Sequence, residues 1–350
     1  MPKRANVEGA VSEYKEKRPL YDRFAAKLKV LLEELLSAKR IDYHVIEHRA
    51  KEVEAFREKI TRAGKRYSDP VREVTDLAGV RVVLYYTSDV DRACRVIKEE
   101  FDVDQSGSVD KGESLKPDQF GYRSVHYVVS LCGARAGLAE WANFAGFRAE
   151  IQVRTVLQHA WASVSHRLQY KHERDVPTLF RRRLSVLSGL FELADEQFLA
   201  LRREQTKLSQ MTSRKIEKGD TDLELNLITV EEFLKKSPLI REVELVANEI
   251  GFEFYEPDDY ITWLLHYCFI MGLHALGDLS SSLNDSLPWW RNYLRELYVA
   301  FLGETGDCLL APSRLVVCIL LRANKDKVSP DYLVSHGWSK GLAELMLVPS

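Results

Sequence analysis

Between residues 147 and 155 the chain reads F-R-A-E-I-Q-V-R-T, in which polar and apolar positions alternate. A period of two is that of a strand, so Ile151 and Val153 are predicted to face a core. Glu150, Gln152 and Arg154 are predicted on the opposite face, aiming an acid, an amide and a base at one place. Other segments take a helical period. Residues 11–36 predict one long helix, and 51–63 a charged helix stopped by Gly64. Residues 89–101 predict a helix capped by Ser88, and further helices are predicted over 156–171 and 179–208. Strands are predicted over 41–47, over 77–86 around V-R-V-V-L-Y-Y, over 122–131 and over 148–154. Residues 105–119, rich in Gly, Ser, Asp and Lys, read as a long loop. The pattern is that of an α+β domain, a mixed sheet with helices packed on it, over residues 1–208. A polar boundary follows at 209–222, and a mainly helical second domain at 223–350.

Composition narrows this little. With 350 residues and a formal net charge of -2, the chain has room for two cores and lacks the bulk basicity of a protein that coats nucleic acid. The five cysteines are scattered with no CxxC pair, which predicts reduced, mostly buried thiols and no zinc site. No apolar run is long enough to span a bilayer and the N-terminus lacks a signal-peptide core, so no membrane partner and a cytoplasmic location are expected.

Four segments carry candidate chemistry. In H-R-A-K, with a lysine eight residues on, Arg49 precedes a predicted helical stripe of Lys51, Ala55 and Lys59. In T-D-L-A-G-V-R, Asp76 opens a buried strand, and Arg81 within that strand needs a carboxylate or a phosphate as partner. In G-Y-R-S-V-H-Y, Tyr122, Ser124 and His126 alternate, offering a ring, a hydroxyl and an imidazole to a base or ribose. The fourth is the Glu150 strand, where Glu150 suits a metal or a proton and Arg154 a phosphate.

In this order and spacing, together with L-Q-H-A-W-A and Tyr170-Lys171, these motifs resemble the synthetase domain of the RelA/SpoT family over roughly residues 40–175. The resemblance implies a nucleotidyltransferase-like mixed sheet flanked by helices. It also implies a pyrophosphokinase that moves the β,γ-pyrophosphate of ATP to the 3′-hydroxyl of GDP or GTP, making ppGpp or pppGpp. Asp76 and Glu150 are then expected to share Mg²⁺, with Glu150 also the base; Arg49, Lys51, Lys59 and Arg81 to hold ATP; and Tyr122, His126, Gln152 and Arg154 to meet the acceptor nucleotide. Phe120 stands where many relatives have asparagine, and the preceding loop carries Asp104, Asp110, Glu113 and Asp118 against Lys111 and Lys116. A second expectation is therefore a toxic relative that pyrophosphorylates the 3′ end of tRNA or adenosine nucleotides, with Arg181, Arg182 and Arg183 as a candidate tRNA contact.

No His-Asp doublet is present, so the hydrolase half of long family members is expected to be missing. Residues 223–350 show no metal-ligand or nucleophile spacing. They are expected to regulate the first domain, through a protein partner or self-association, and His266 and His274 are expected to be core or interface residues.

Overall fold

The computed structural model describes residues 6–110, 124–168, 177–255, 260–306 and 308–347. Helix α1 (Val7–Ala38) starts on Asn6, whose side chain accepts a hydrogen bond from the Gly9 N–H. Its buried Tyr14, Phe24, Leu28, Leu32 and Leu36 form the stripe that packs on the sheet. Then come β1 (Tyr43–Ala50), α2 (Val53–Thr61), α3 (Pro70–Glu73), β2 (Ala78–Leu84), α4 (Thr87–Glu100) and β3 (Phe101–Asp110). After these follow β4 (Val125–Leu131), α5 (Gly133–Ala136), β5 (Ala149–Thr155), α6 (Val156–Leu168) and α7 (Thr178–Glu217).

The sheet order is β1-β2-β5-β4-β3. Only β2 and β5 run parallel; the other neighbours are antiparallel. The two parallel strands lie inside the sheet and share one burial pattern, in which Ala78, Val80 and Val82 and then Ala149, Ile151 and Val153 face the core. Gly79 and Arg81, and Glu150 and Gln152, occupy the alternate positions on the other face. This is the predicted mixed sheet flanked by helices.

Four local expectations are corrected. Lys51 lies before α2, with Glu52 at the N-cap, so Lys51 and Lys59 do not share a helical stripe. Helix α4 begins at Thr87 with Tyr86 at the cap, so Ser88 lies inside it. Residues 105–110 belong to strand β3 rather than to a loop; residues 111–119 lie outside the described residues. The register of β3 on β4 shifts between Asp104 and Val109, where Asp104 Oδ1 accepts from the N–H groups of Ser106 and Gly107 at 3.0 and 3.1 Å. A bulge of this kind erases the alternation by which a strand is read. Lastly, α7 is helical to Glu217, through much of the polar stretch at 209–222.

The chain forms two compact units, Met1–Arg202 and Arg203–Ser350. The second is mainly helical, as predicted. It contains α8 (Leu227–Lys236), α9 (Pro238–Ile250), β6 (Glu253–Phe254), α10 (Tyr260–Ile270), α11 (Leu276–Asp285), α12 (Trp290–Thr305), β7 (Leu309–Leu310), α13 (Pro312–Ala323), α14 (Pro330–Ser335) and α15 (Lys340–Leu347). Its core surrounds α13, where every residue from Leu315 to Leu321 is buried among Tyr267, Trp290, Phe301 and Trp338. His266 and His274 are exposed, so neither is a core residue: His266 Nε2 meets the Tyr332 hydroxyl at 3.2 Å, and His274 follows the end of α10. All five cysteines are free, and four are buried. Among the described residues no helix is long and apolar enough to cross a membrane.

Candidate active site

Strand register assembles the site. Arg49 on β1 pairs with Gly79 on β2, and Gly79 with Glu150 on β5. One period along, Glu47 pairs with Arg81, Arg81 with Gln152, and Gln152 with His126 on β4. Two transverse rows of polar residues thus cross one sheet face. Gly79 contributes no side chain to its row. A Cβ there would lie 3.7 Å from the Arg49 side chain and 3.8 Å from the Glu150 carbonyl oxygen, so the missing side chain leaves a hollow between them. The hollow is a cavity of about 260 Å³, lined by Glu47, His48, Arg49, Asp76, Gly79, Val80, Arg81, Glu150 and Gln152.

Asp76 reaches this cavity from the turn that precedes β2. Its Oδ2 accepts from Lys51 Nζ and Lys59 Nζ, both at 2.9 Å. Oδ1 is buried with no hydrogen-bond partner among the described residues. The two lysines therefore converge on one carboxylate although they come from different local structures. Lys51 is fixed by its backbone: its N–H donates to Leu77 O at 2.9 Å, and its carbonyl accepts from Tyr14 Oη at 2.6 Å and Arg18 Nε at 3.1 Å. Tyr14 and Arg18 stand on α1, some thirty residues earlier, and no sequence motif marks them.

Arg81, expected to need an anion, has one. Its Nη1 donates to Glu47 Oε2 at 2.6 Å, while its buried Nε has no partner among the described residues. Glu47 and His48 were not singled out in the sequence. The signal for Glu47 was its place two residues before Arg49, on the same strand face.

Glu150 is half-buried. Oε1 accepts from His126 Nδ1 at 2.7 Å and Oε2 from Gln152 Nε2 at 3.0 Å. Burial pushes its carboxyl upward. The hydrogen bond and charge of His126, the Gln152 amide and the Lys59 charge outweigh that and hold it down at about 2. Glu150 is therefore an anion at any working pH.

Of the sequence-predicted residues, Arg49, Asp76, Arg81, Glu150 and Gln152 line the cavity. Lys51, Lys59 and His126 join it through their bonds to the two carboxylates. Arg154 is different. At 4% exposure it is buried and outside the lining, at the end of β5 where the burial pattern stops alternating. Tyr122, Phe120, Tyr170 and Lys171 lie outside the described residues. Arg182 and Arg183 are exposed on α7.

The donor set fits a hard divalent cation. Three carboxylates line the cavity; Glu47 is taken by Arg81, and Asp76 Oδ1 is buried without a partner among the described residues. Magnesium takes one or two carboxylates and completes its shell with water and substrate phosphates. Among the described residues no group of three acidic, histidine or cysteine side chains forms a self-sufficient metal cage.

Residues 48–175 match the family model described as the region found in RelA / SpoT proteins. The GTP pyrophosphokinase YwaC of Bacillus subtilis (strain 168) is 29% identical over 167 residues, which are 46% of this chain and 76% of that protein. The GTP pyrophosphokinase YjbM of the same organism is 28% identical over 167 residues, 45% of this chain and 72% of its own length. Among solved structures, a GTP pyrophosphokinase family protein from Streptococcus pneumoniae is 26% identical, with a TM-score of 0.46, over 55% of this chain and 94% of that one. Small alarmone synthetase 1 from Bacillus subtilis is 23% identical, with a TM-score of 0.46, over 56% of this chain and 98% of that one. Residues 48–175 thus match the region found in RelA / SpoT proteins, and that stretch carries all four motifs and all but Glu47 of the residues that line the cavity.

Proposed function

We propose that the chain transfers the β,γ-pyrophosphate of ATP to the ribose 3′-hydroxyl of GDP or GTP, making ppGpp or pppGpp. The observation that carries this is one cavity at the sheet face lined by Asp76, Glu150, Arg49 and Arg81, with Lys51 and Lys59 bonded to Asp76 beside it. Four cations and three acids, one of them Glu47 already paired with Arg81, suit a magnesium-bound polyphosphate.

In this reading the 3′-oxygen bonds to Pβ, its proton passing to Glu150, as the bond from Pβ to the α,β-bridging oxygen breaks, and AMP leaves with that oxygen. Lys51, Lys59, Arg49 and Arg81 bind and orient the phosphates and offset charge that gathers on the leaving group. Asp76 and Glu150 hold Mg²⁺, which when bound supplies further charge cancellation on the phosphates. The buried Nε of Arg81 is a donor available to substrate oxygen. Glu150, held at about 2 by its neighbours, is a poor proton acceptor in the free site. It becomes a better one as Lys59 turns toward phosphate and His126 toward the acceptor, since both lower it now. His126 and Gln152 flank Glu150 on the β4 side and are assigned to the acceptor nucleotide.

A second reading is transfer to tRNA or to adenosine nucleotides; the acidic β3, which carries Asp102, Asp104 and Asp110 and neighbours β4, favours its less charged acceptor, an adenosine monophosphate. One assay separates the two. Purified chain is incubated with Mg²⁺, γ-labelled ATP and, separately, GDP, GTP, AMP, ATP or bulk tRNA. Label moving fastest to GDP or GTP supports the first reading. Preference for tRNA or an adenosine acceptor replaces it with the second, and no transfer to any acceptor removes both.

A further inference from the structure

The helical unit contains a cleft of its own, of about 300 Å³, lined by Asp285, Trp289, Arg322, Ala323 and Lys325. It lies well outside residues 48–175, and nothing in the proposed reaction uses it. We propose that this cleft is a second nucleotide site, taking a single nucleoside phosphate with its base on Trp289 and its phosphate between Arg322 and Lys325.

The walls argue for this ligand class. Trp289 is half-buried and offers part of its indole to the cleft, the kind of flat apolar surface on which a base stacks without regard to sequence. Its ring is fixed edge-to-face on Tyr293, with centroids 5.5 Å apart. The same Tyr293 ring carries the Arg322 guanidinium at 5.0 Å, and Arg322 Nη1 donates to Leu345 O at 2.7 Å. Aromatic wall and cation are thus braced by one buried residue, which lowers the ordering needed on binding.

Charge settles the class further. Lys325 and Asp285 are exposed at the same cleft, yet neither forms an ion pair with the other or with any described residue. Two basic side chains and one acid line the cleft, a lining that suits a phosphate better than an electrically neutral amino acid. Helix α12 begins directly after Trp289, and no side chain caps its first turn. That end adds the positive pole of a sixteen-residue helix beside the cleft. Asp285 is left to accept from a ribose hydroxyl or a base N–H. A volume of about 300 Å³ is at the lower limit of small-molecule sites, room for one nucleotide.

The test is calorimetric titration of the full chain with ADP and, separately, with inorganic phosphate. The wild-type chain is expected to bind two ADP. The double variant Lys59→Ala, Glu150→Gln is expected to lose the site on the sheet and keep the other. Lys325→Glu, at an exposed position that leaves the fold intact, and Trp289→Leu are each expected to weaken the remaining site about tenfold or more. Lys327→Glu, two residues away and outside the lining, is expected to leave it unchanged. Three results overturn the proposal: ADP affinity and stoichiometry unaltered by both Lys325→Glu and Trp289→Leu, an equal loss in Lys327→Glu, or inorganic phosphate binding as tightly as ADP. None of these depends on whether the sheet site transfers pyrophosphate.

Discussion

Glu150 is pinned between an imidazole and an amide, and Asp76 between two ammonium groups, so each acid has its own pair of donors. Glu150→Gln keeps the volume and removes the charge. It is expected to lower turnover by a factor of ~10² to 10⁴ or more while leaving the thermal midpoint close to that of wild type. Near wild-type turnover in a single-turnover assay would sink the assignment. Lys59→Ala should raise the KM for ATP by roughly tenfold, with a smaller change in the KM for the acceptor. The reverse pattern would move Lys59 to the other substrate. At this scale much of the site was legible, because Arg49, Lys59, Asp76, Arg81 and Glu150 are set by motifs a few residues long. Glu47, Tyr14 and Arg18 were harder to see. Their roles depend on antiparallel register and on a helix distant in sequence, neither of which leaves a local signal. Arg154 went the other way: its alternation with Glu150 and Gln152 is real, but β5 passes under cover before reaching it.

The end of β5 is tied to α7 through a buried pair. Thr155 Oγ1 donates to Asp195 Oδ2 at 2.9 Å, and Asp195 is 4% exposed. Burial pushes the Asp195 carboxyl up to about 6, outweighing the downward pull of the Thr155 hydrogen bond, with the Glu192 charge adding a smaller upward push. The folded-state value lies above the unfolded one, so the folded chain binds this proton more tightly. Stability is then fully present below the ordinary carboxylate range and falls as pH rises from there through about 6. Asp195→Asn retains an acceptor for Thr155 and cannot ionise. Urea midpoints should show it more stable than wild type by about 1–3 kcal/mol at pH 7.5, with no gain at pH 4. A gain of equal size at both pH values would mean the effect is not ionisation. Elements with a clean period, such as β2, β5 and α1, were readable from the chain. Strand β3 was hidden by its bulge, and the course of α7 past residue 208 by a run of polar side chains that solvate a helix as well as they would a linker.

Each unit has its own hydrophobic core, one around α1 and the sheet, the other around α13, with no residue in common. That separation is why the helical unit could be foreseen as a second domain, while its role could not: cores are written in hydrophobic period, and regulation is not. If residues 223–350 restrain the enzyme, a chain ending at residue 222 should turn over ATP faster, or arrest growth at lower expression, than the full chain. Equal rates with every acceptor and nucleotide tested would leave the helical unit without a regulatory role. The full chain carries a formal net charge of only -2, so a distant polyanion feels little pull from it. Much of the site's charge is already partnered at home: Lys51 and Lys59 share Asp76, Arg81 meets Glu47, and Glu150 accepts from His126 and Gln152. An arriving magnesium–ATP complex must therefore trade partners with an internal salt rather than fall into an open cationic well: the phosphates take the lysines as the metal takes the acids, and neither exchange is favourable without the other. Metal-free ATP should bind poorly. Association of the matched complex should also be slow for a charged ligand and change less than about threefold between 50 and 300 mM salt, since no long-range field is there to be screened.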